Sequence, residues 1–236
     1  MLLPLLEPDE ERVFEAARPP RFVARSESAL ADSDLAQGEV LVLACGALAR
    51  EVLAVIELNG WQNVTVRCLP AKLHSRPERI APAVDAKLAD IAGRYERVFV
   101  AYADCGTGGA LDEVLDRHGV ERLPGDHCYG FLTGNAAWEH LHDAEPATFY
   151  LTDFLARHFD AIVVRGLGLD RHPELLSQYF GNYRRLLYLA QTDDDDLRVR
   201  ARAAAERLGL EYEERRTGYG DLVPSLTRFV EAPAAA

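Results

Sequence analysis

Residues 40–60 read VLVLACGALAREVLAVIELNG. The run Val40–Ala44 is short and apolar, which is typical of a buried strand. After Cys45, apolar residues recur at helical spacing as far as an Asn-Gly pair, which is a helix stop signal. The stretch therefore predicts a strand, a turn and a helix, with a cysteine at the carboxyl end of the strand.

The alternation of apolar runs with helical patterns continues along the chain. It predicts an α/β fold of Rossmann-like βα units around a largely parallel sheet. The pattern is also compatible with two such lobes that face each other. The further strands are expected at 64–68, 98–102, 121–123, 186–190 and 211–215, the helices at 77–93, 111–119, 173–180 and 193–208, and another apolar run at 161–164.

The ends of the chain differ in composition from its middle. Residues 1–38 contain several prolines and an acidic helix candidate at 10–17, which indicates an N-terminal arm that packs on the body or on a partner. We place the α/β domain at 39–231 and a frayed tail at 232–236. An arm that crosses to a neighbouring copy would make the protein a homo-oligomer.

Charge and hydropathy exclude several classes of protein. The 236 residues carry 26 basic and 38 acidic side chains, a formal charge of -12 that repels nucleic-acid backbones. The apolar start Met1–Leu6 lacks the basic residues of a signal peptide, and no apolar stretch is long enough to span a bilayer. We therefore expect a cytoplasmic protein with reduced thiols and with neither nucleic acid nor membrane as a partner.

Three of the four cysteines follow strand-like runs or stand in a glycine-bearing turn. Cys45, Cys105 and Cys128 are spaced about one βα unit apart, and His74 follows the strand between the first two. Because the carboxyl ends of parallel strands form one ligand-binding edge, these side chains predict a Cys3His metal site suited to zinc. Three alternatives stay open: His127 or a vacant position as the fourth ligand, an iron–sulfur cluster, and buried cysteines that only pack.

The turn after the strand at 98–102 has a second interpretation. A helix start lowers a thiol pKa, so Cys105 is also a candidate nucleophile, with Asp104 as a proton-transfer group. Backbone N–H groups in a glycine-rich turn can also cradle an anion, although a plain tight turn is equally compatible with the pattern. The candidate cofactor-binding residues are Gly106, Thr107, Gly108 and Gly109.

These same motifs carry a family resemblance. The matching stretches are 44–48, 73–74 with 77–80, 102–106 with 108–109, 126–128, 148–152 and 183–186. With them the chain resembles the DUF1638 family of unknown function over roughly Val40 to Leu226. The resemblance implies a link to corrinoid-dependent one-carbon metabolism, often beside methyltransferases that act on methylated amines. His127 stands where the family carries a second Asp, which weakens its case as a ligand.

The residues and the resemblance together predict a zinc-binding protein of one-carbon or methylated-amine metabolism. In this hypothesis it is a metal-dependent methyltransferase that works with a small molecule or with corrinoid methyltransferase components. One alternative is a non-catalytic accessory or carrier protein for a metal, an iron–sulfur cluster or a corrinoid. A second alternative is a metal-free thiol enzyme that uses Cys105.

Overall fold

A computed structural model describes residues 12–17, 21–26 and 40–232, the first two ranges by their backbone alone. The chain divides into two compact units, as the sequence allowed. The first unit comprises 1–128 and 222–236, and the second comprises 129–221. The domain boundaries expected at residues 38 and 231 stay predictions, and the tail at 233–236 lies outside the described residues.

The first unit is built on a six-stranded sheet of order β2-β1-β4-β3-β5-β6. Strands β3 to β6 are mutually parallel, whereas β1 and β2 form an antiparallel hairpin that pairs with β4. The predicted α/β class with a largely parallel sheet is therefore confirmed. The strands are β1 (Arg12–Ala17), β2 (Arg21–Ser26), β3 (Val40–Cys45), β4 (Val64–Leu69), β5 (Arg97–Ala101) and β6 (Glu121–Arg122).

The central strands β3 and β4 are covered on both faces, and every residue of each is buried. Strand β3 is apolar throughout, whereas β4 also buries Thr65 and Arg67. In the register of the sheet, Ala44 of β3 lies opposite Cys68 of β4 and Ala101 of β5. The three strands therefore end at one common edge.

Helices follow most strands in both units. In the first unit, helix α1 (Ala49–Asn59) is capped by Gly60, whose φ of 67° suits the stop that the Asn-Gly pair predicts. The last helix is tied to β5 because the Arg97 guanidinium donates to the carbonyls of Phe229 and Val230. The helices are α1 (Ala49–Asn59), α2 (Ile80–Asp90), α3 (Ala110–His118), α4 (Cys128–Thr133), α5 (Asn135–Ala144), α6 (Asp153–Phe159), α7 (Leu176–Phe180), α8 (Asp195–Leu208) and α9 (Leu222–Glu231).

The N-terminal segment corrects one expectation. Residues 12–17 are a strand and not part of an acidic helix. Without the hairpin, β4 would end the parallel sheet with unpaired backbone groups, and pairing with β1 covers that edge. Strand β1 pairs with β4, which lies some fifty residues further along the chain, since Arg12 is opposite Cys68. The local sequence pattern around β1 therefore does not reveal that this segment is a strand.

The second unit holds a separate parallel sheet of order β7-β8-β9. Its strands are β7 (Thr148–Thr152), β8 (Arg185–Ala190) and β9 (Glu211–Arg216). The sheet contributes to two hydrophobic clusters, one that includes Leu186 and Tyr188 and one that includes Leu187 and Leu189. The apolar run at 161–164 is helical and lies in a π-helical turn, Asp160–Arg165.

A buried carboxylate organises the carboxyl edge of this second sheet. Asp153 follows β7 and is 0% exposed. Its Oδ1 accepts from the Tyr188 hydroxyl at 2.7 Å and from the Gln191 N–H at 3.1 Å, and its Oδ2 accepts from the Thr192 N–H at 3.0 Å. Since a buried charge is tolerated only when it is well hydrogen-bonded, this network explains how an aspartate lies inside the unit.

Among the described residues, no helix combines the length and the apolar character that crossing a lipid bilayer would require.

Candidate functional site

The carboxyl edge of the first sheet contains a topological switch point. The chain leaves β3 for β4 on one side and then crosses back to β5 on the other side of β3. Ligands of open α/β sheets bind at such a point, where the loops diverge. Cys45 ends β3 and Cys105 follows β5, so two of the predicted ligands flank the switch point.

Cys45 and His74 are in direct contact there. His74 lies in a short 3-10 helix, Ala71–Ser75, that follows β4. Its Nδ1 lies 3.6 Å from the Cys45 Sγ, and the same sulfur accepts from the Ala47 N–H at 3.4 Å. The Cys45 thiol is 1% exposed. Two of the four predicted metal ligands therefore meet, a buried thiol and a histidine that is exposed to solvent.

Cys105 approaches the same imidazole from the other side of β3. Burial by itself lowers the pKa of His74. A hydrogen bond and an electrostatic interaction with Cys105, together with a hydrogen bond to the Ala71 backbone, act in the opposite direction, and the pKa of His74 is raised overall. Among the described non-glycine residues, Cys105 has the only positive φ, 53°. The chain thus adopts a left-handed conformation at a residue whose side chain meets His74.

The glycine-rich turn after Cys105 is organised by Asp104. The Asp104 carboxylate accepts from the Thr107 hydroxyl at 2.6 Å and from the Gly108 and Gly109 N–H groups at 3.1 and 2.9 Å. The donors that an anion would use at those two glycines are therefore engaged by a carboxylate of the chain itself. This geometry shows Asp104 shaping the turn before α3, while its catalytic role and the binding roles of Gly106 to Gly109 stay predictions.

A second segment holds the backbone of Cys105 in place. The Asp104 N–H donates to the Gly125 carbonyl at 3.1 Å, and the Cys105 N–H donates to the Asp126 carbonyl at 2.7 Å. Arg122 fixes this segment because it donates to the Gly125 carbonyl and forms a bidentate pair with Asp112. Cys128, two residues after Asp126, belongs to the first unit and is partly exposed.

Tyr102 is a site residue that the sequence analysis missed. It follows β5 directly and is fully buried, and its ring stacks on the His74 ring with centroids 6.3 Å apart and planes 13° apart. Among the described residues, no group makes a hydrogen bond of standard geometry with its hydroxyl. The position of Tyr102 at the carboxyl end of a predicted strand could have indicated a site residue, but a tyrosine at the end of an apolar run is more often part of the hydrophobic core.

Burial dominates the electrostatics of the cluster. It raises the pKa of the Cys45 thiol to about 11, although the Ala47 N–H and the nearby Tyr102 hydroxyl lower it, and the charge of Glu51 adds to the rise. Burial also raises the pKa of Cys68, and the charge of Cys45 adds to the effect. The pKa of Tyr102 is raised well above 10 by burial and by the same thiols. In the metal-free protein at neutral pH, Cys45 therefore carries its proton.

The cluster does not form a complete cation site in its present geometry. Within the described ranges, no three His, Cys, Asp or Glu side chains are grouped so that they could hold a metal ion. The Cys45 Sγ lies 3.6 Å from the His74 Nδ1, and Cys105 interacts with the same ring. A cavity of about 370 Å³ lies at the opposite edge of the sheet, near Arg97 and His118, and does not reach these residues.

Comparison with known proteins identifies the family. No curated protein and no solved structure shows a significant match to the chain. A family profile described as "Protein of unknown function (DUF1638)" matches residues 68–226. The matched region begins after the expected Val40 and contains His74, Cys105 and Cys128, whereas Cys45 precedes it. Because the match covers more than half of the sequence, the chain belongs to the DUF1638 family.

Proposed function

We propose that the protein binds a zinc ion at the carboxyl edge of the first sheet. Cys45, His74 and Cys105 are the proposed protein ligands, and Cys128 is the candidate for the fourth position. The observation that supports the proposal is the convergence of two buried thiols on one imidazole. A thiolate and imidazole donor set is the one that zinc prefers in proteins.

The distance between Cys45 and His74 fits this proposal. Zinc binds sulfur at about 2.3 Å and nitrogen at about 2.0–2.1 Å, so two such ligands at a tetrahedral angle lie roughly 3.6 Å apart. The Cys45 Sγ and the His74 Nδ1 are separated by 3.6 Å. The pair would therefore need little movement to share one cation.

The remaining ligands would have to turn towards this pair. The Cys105 thiol interacts with the His74 ring, so it is the first candidate for a third ligand and would have to move towards the pair. The Ala71 carbonyl also accepts from the His74 ring. Such a backbone acceptor orients a ligating histidine and makes it a better donor.

We further propose that the reaction is a methyl transfer and that the thiol or corrinoid partner of that reaction meets the protein at this edge. Zinc lowers the pKa of a bound thiol or acts as a Lewis acid when one position is open, which is the chemistry that the group would supply. This part of the proposal rests on the one-carbon context that the family resemblance implies. A closed set of four protein ligands would instead favour an accessory or carrier protein.

Metal analysis of untagged protein tests the zinc site. We expect about one equivalent of zinc per chain in the wild type and a loss of most of it in Cys45→Ser and in His74→Gln, because each change removes a donor. Cys68→Ala is the matched control, since Cys68 is also a buried cysteine of the first unit but is not a proposed ligand. Wild-type protein with less than about a tenth of an equivalent after zinc addition would contradict the proposal.

A second candidate function is supported by the backbone at Cys105. A nucleophile on a sharp strand-to-helix turn with a histidine in contact is the arrangement of several covalent catalysts. Cys105 has φ 53° in such a turn and contacts His74. If the protein is metal-free, iodoacetamide should label Cys105 faster than Cys68, and His74→Gln should slow the labelling of Cys105 by about 10- to 100-fold. Equal labelling of the two thiols would contradict this function.

A further inference from the structure

A small cavity lies between the helices α6 and α8 of the second unit. Its volume is about 200 Å³, and it is lined by residues of both helices and by Asp160. The apolar part of the lining includes Ala156, Phe159 and Ala204, which are all buried. The cavity is smaller than the roughly 300–1,000 Å³ of pockets that enclose drug-sized ligands, so its size suits a small ion or a single polar group.

Three arginine side chains line this cavity. Arg157 belongs to α6, whereas Arg200 and Arg207 belong to α8. Residues seven positions apart lie on one face of a helix, two turns from each other, so the two α8 guanidinium groups can reach one point from opposite ends of the cavity. Three cations, contributed by two helices, therefore border a space that would hold only a small ligand.

Arg157 combines burial with a weak partner. Its side chain is only 15% exposed, and its ion pair with Asp194 spans 3.8 Å, which is beyond hydrogen-bond distance. This contact therefore uses none of the five N–H donors of the guanidinium in a hydrogen bond. An anion in the cavity would supply acceptors for them.

The two α8 arginines have partners that are exposed to solvent. Arg200 donates through Nε to Asp196 at 2.7 Å, a bond that does not involve the two terminal nitrogens of the guanidinium. Arg207 contacts the Asp160 carboxylate through Nη1 at 3.4 Å. All four side chains are more than half exposed, at 52% to 69%. Exposed ion pairs contribute little to stability, so a more highly charged anion can replace such a carboxylate or share the guanidinium with it.

We propose that this cavity binds a phosphate group, either as inorganic phosphate or as the end of a phosphomonoester. Arg157, Arg200 and Arg207 donate to the phosphate oxygens, and the phosphate displaces the Asp160 carboxylate from Arg207. The planar fork of a guanidinium matches two oxygens of a phosphate, and the apolar lining strengthens the resulting hydrogen bonds. All of these residues belong to the second unit, so the inference does not depend on the proposed zinc site.

Isothermal titration calorimetry of the full chain with sodium phosphate, in a phosphate-free buffer of low ionic strength, tests the site. We expect saturable binding of about one phosphate per chain. Arg157→Gln and Arg207→Gln should each weaken this binding by about tenfold or more, because each change removes charge-assisted donors. Glycerol phosphate distinguishes the two sources of the group, since tighter binding than that of inorganic phosphate assigns a phosphomonoester, and equal or weaker binding assigns the free ion.

Asp160→Asn gives a readout that damage to folding would not produce. This change removes the carboxylate that competes for Arg207 and keeps the shape of the side chain. We therefore expect it to raise the affinity for phosphate by about two- to fivefold, the range that the loss of an exposed ion pair allows. It also keeps the inference testable if Arg157→Gln fails to fold.

The matched control is Arg171→Gln, because Arg171 is an arginine of the same unit that pairs with Asp170 and does not line the cavity. It should leave the affinity unaltered. The absence of saturable heat up to about 10 mM phosphate, which would fill a site of millimolar affinity, would overturn the inference. Phosphate binding that Arg207→Gln and Asp160→Asn leave unchanged, or acetate binding of equal strength, would overturn it as well.

Discussion

At Cys105 the backbone adopts a conformation that favours glycine, although the residue is a cysteine. A non-glycine residue in the left-handed region costs about 1–2 kcal/mol, and glycine is the residue that usually avoids this cost. Here a cysteine occupies the position with φ 53°, between Asp104 and Gly106. The residues around it supply the compensation, because the Cys105 N–H donates to the Asp126 carbonyl and Asp104 closes the following turn. The strain is consistent with a thiol that is required at this point.

Replacement of Cys105 by glycine should therefore stabilise the metal-free protein relative to replacement by alanine. Both variants lack the thiol, and only glycine relieves the positive φ, so we expect Cys105→Gly to be more stable by about 0.5–1 kcal/mol after its greater unfolded-state entropy is included. Urea unfolding followed by the fluorescence of Trp61 measures the difference in a Trp138→Phe background, because Trp61 belongs to the first unit. Equal stability of the two variants would show that the backbone at position 105 is relaxed.

At the scale of elements, the ends of strands and helices position the site. The α3 helix and the short strand β6 are joined by the ion pair of Asp112 and Arg122, whose side chains are 50% and 17% exposed. Arg122 also donates to the Leu123 and Gly125 carbonyls, so the pair holds the segment that supports Cys105. The hydrogen bond from Arg122 lowers the pKa of Asp112 and outweighs the effect of burial.

This pair predicts a pH-dependent contribution to stability. The pKa of Asp112 is lower in the folded than in the unfolded state. The ion pair therefore stabilises the folded protein at pH values above the unfolded-state pKa of about 3.9, and this stabilisation is lost as the pH falls through the folded-state pKa. We expect Asp112→Asn to lower the free energy of unfolding by up to about 1 kcal/mol at pH 7, given its exposure, and by progressively less below pH ~4.

Chemical denaturation across that pH range measures the effect. Asp116→Asn is the matched control, because Asp116 is an exposed aspartate of the same helix. It should change the free energy of unfolding by less than about 0.5 kcal/mol at every pH. A loss for Asp112→Asn that stays constant down to pH ~3 would mean that the ion pair is not its cause.

At the scale of the whole molecule, the chain forms two compact units, and each has its own parallel sheet. The proposed metal ligands all belong to the first unit. The second unit lacks cysteine and has a core of its own around β8, together with the buried Asp153 network. A unit with a separate sheet, core and polar network has the features of an autonomous folding unit.

We expect the fragment 129–221, expressed alone, to fold and to unfold cooperatively on heating. Asp153→Asn in this fragment should lower the free energy of unfolding by about 2–4 kcal/mol, because an amide keeps one acceptor oxygen and places its NH2 group either against the Thr192 N–H or against the Tyr188 hydroxyl and the Gln191 N–H. Circular dichroism of the two fragments measures both effects. A wild-type fragment without a cooperative transition would show that the second unit needs the rest of the chain.

The sequence by itself determined the elements whose signals are local. The strand at Val40 and its helix appear as predicted, because hydrophobic periodicity and an Asn-Gly stop depend only on near neighbours. The placement of Cys45, His74 and Cys105 near the carboxyl ends of strands followed from the same pattern, since parallel strands end at one edge.

Only the tertiary structure decided which side chains meet. The hairpin at Arg12–Ala17 depends on pairing with a distant strand edge, and the contact of Tyr102 with His74 depends on how two loops pack. The closing of the glycine-rich turn by the Asp104 carboxylate depends on a side-chain direction that no sequence spacing encodes. Local propensity fixes where an element begins and ends, whereas contacts between distant residues are set by the packing of the whole unit.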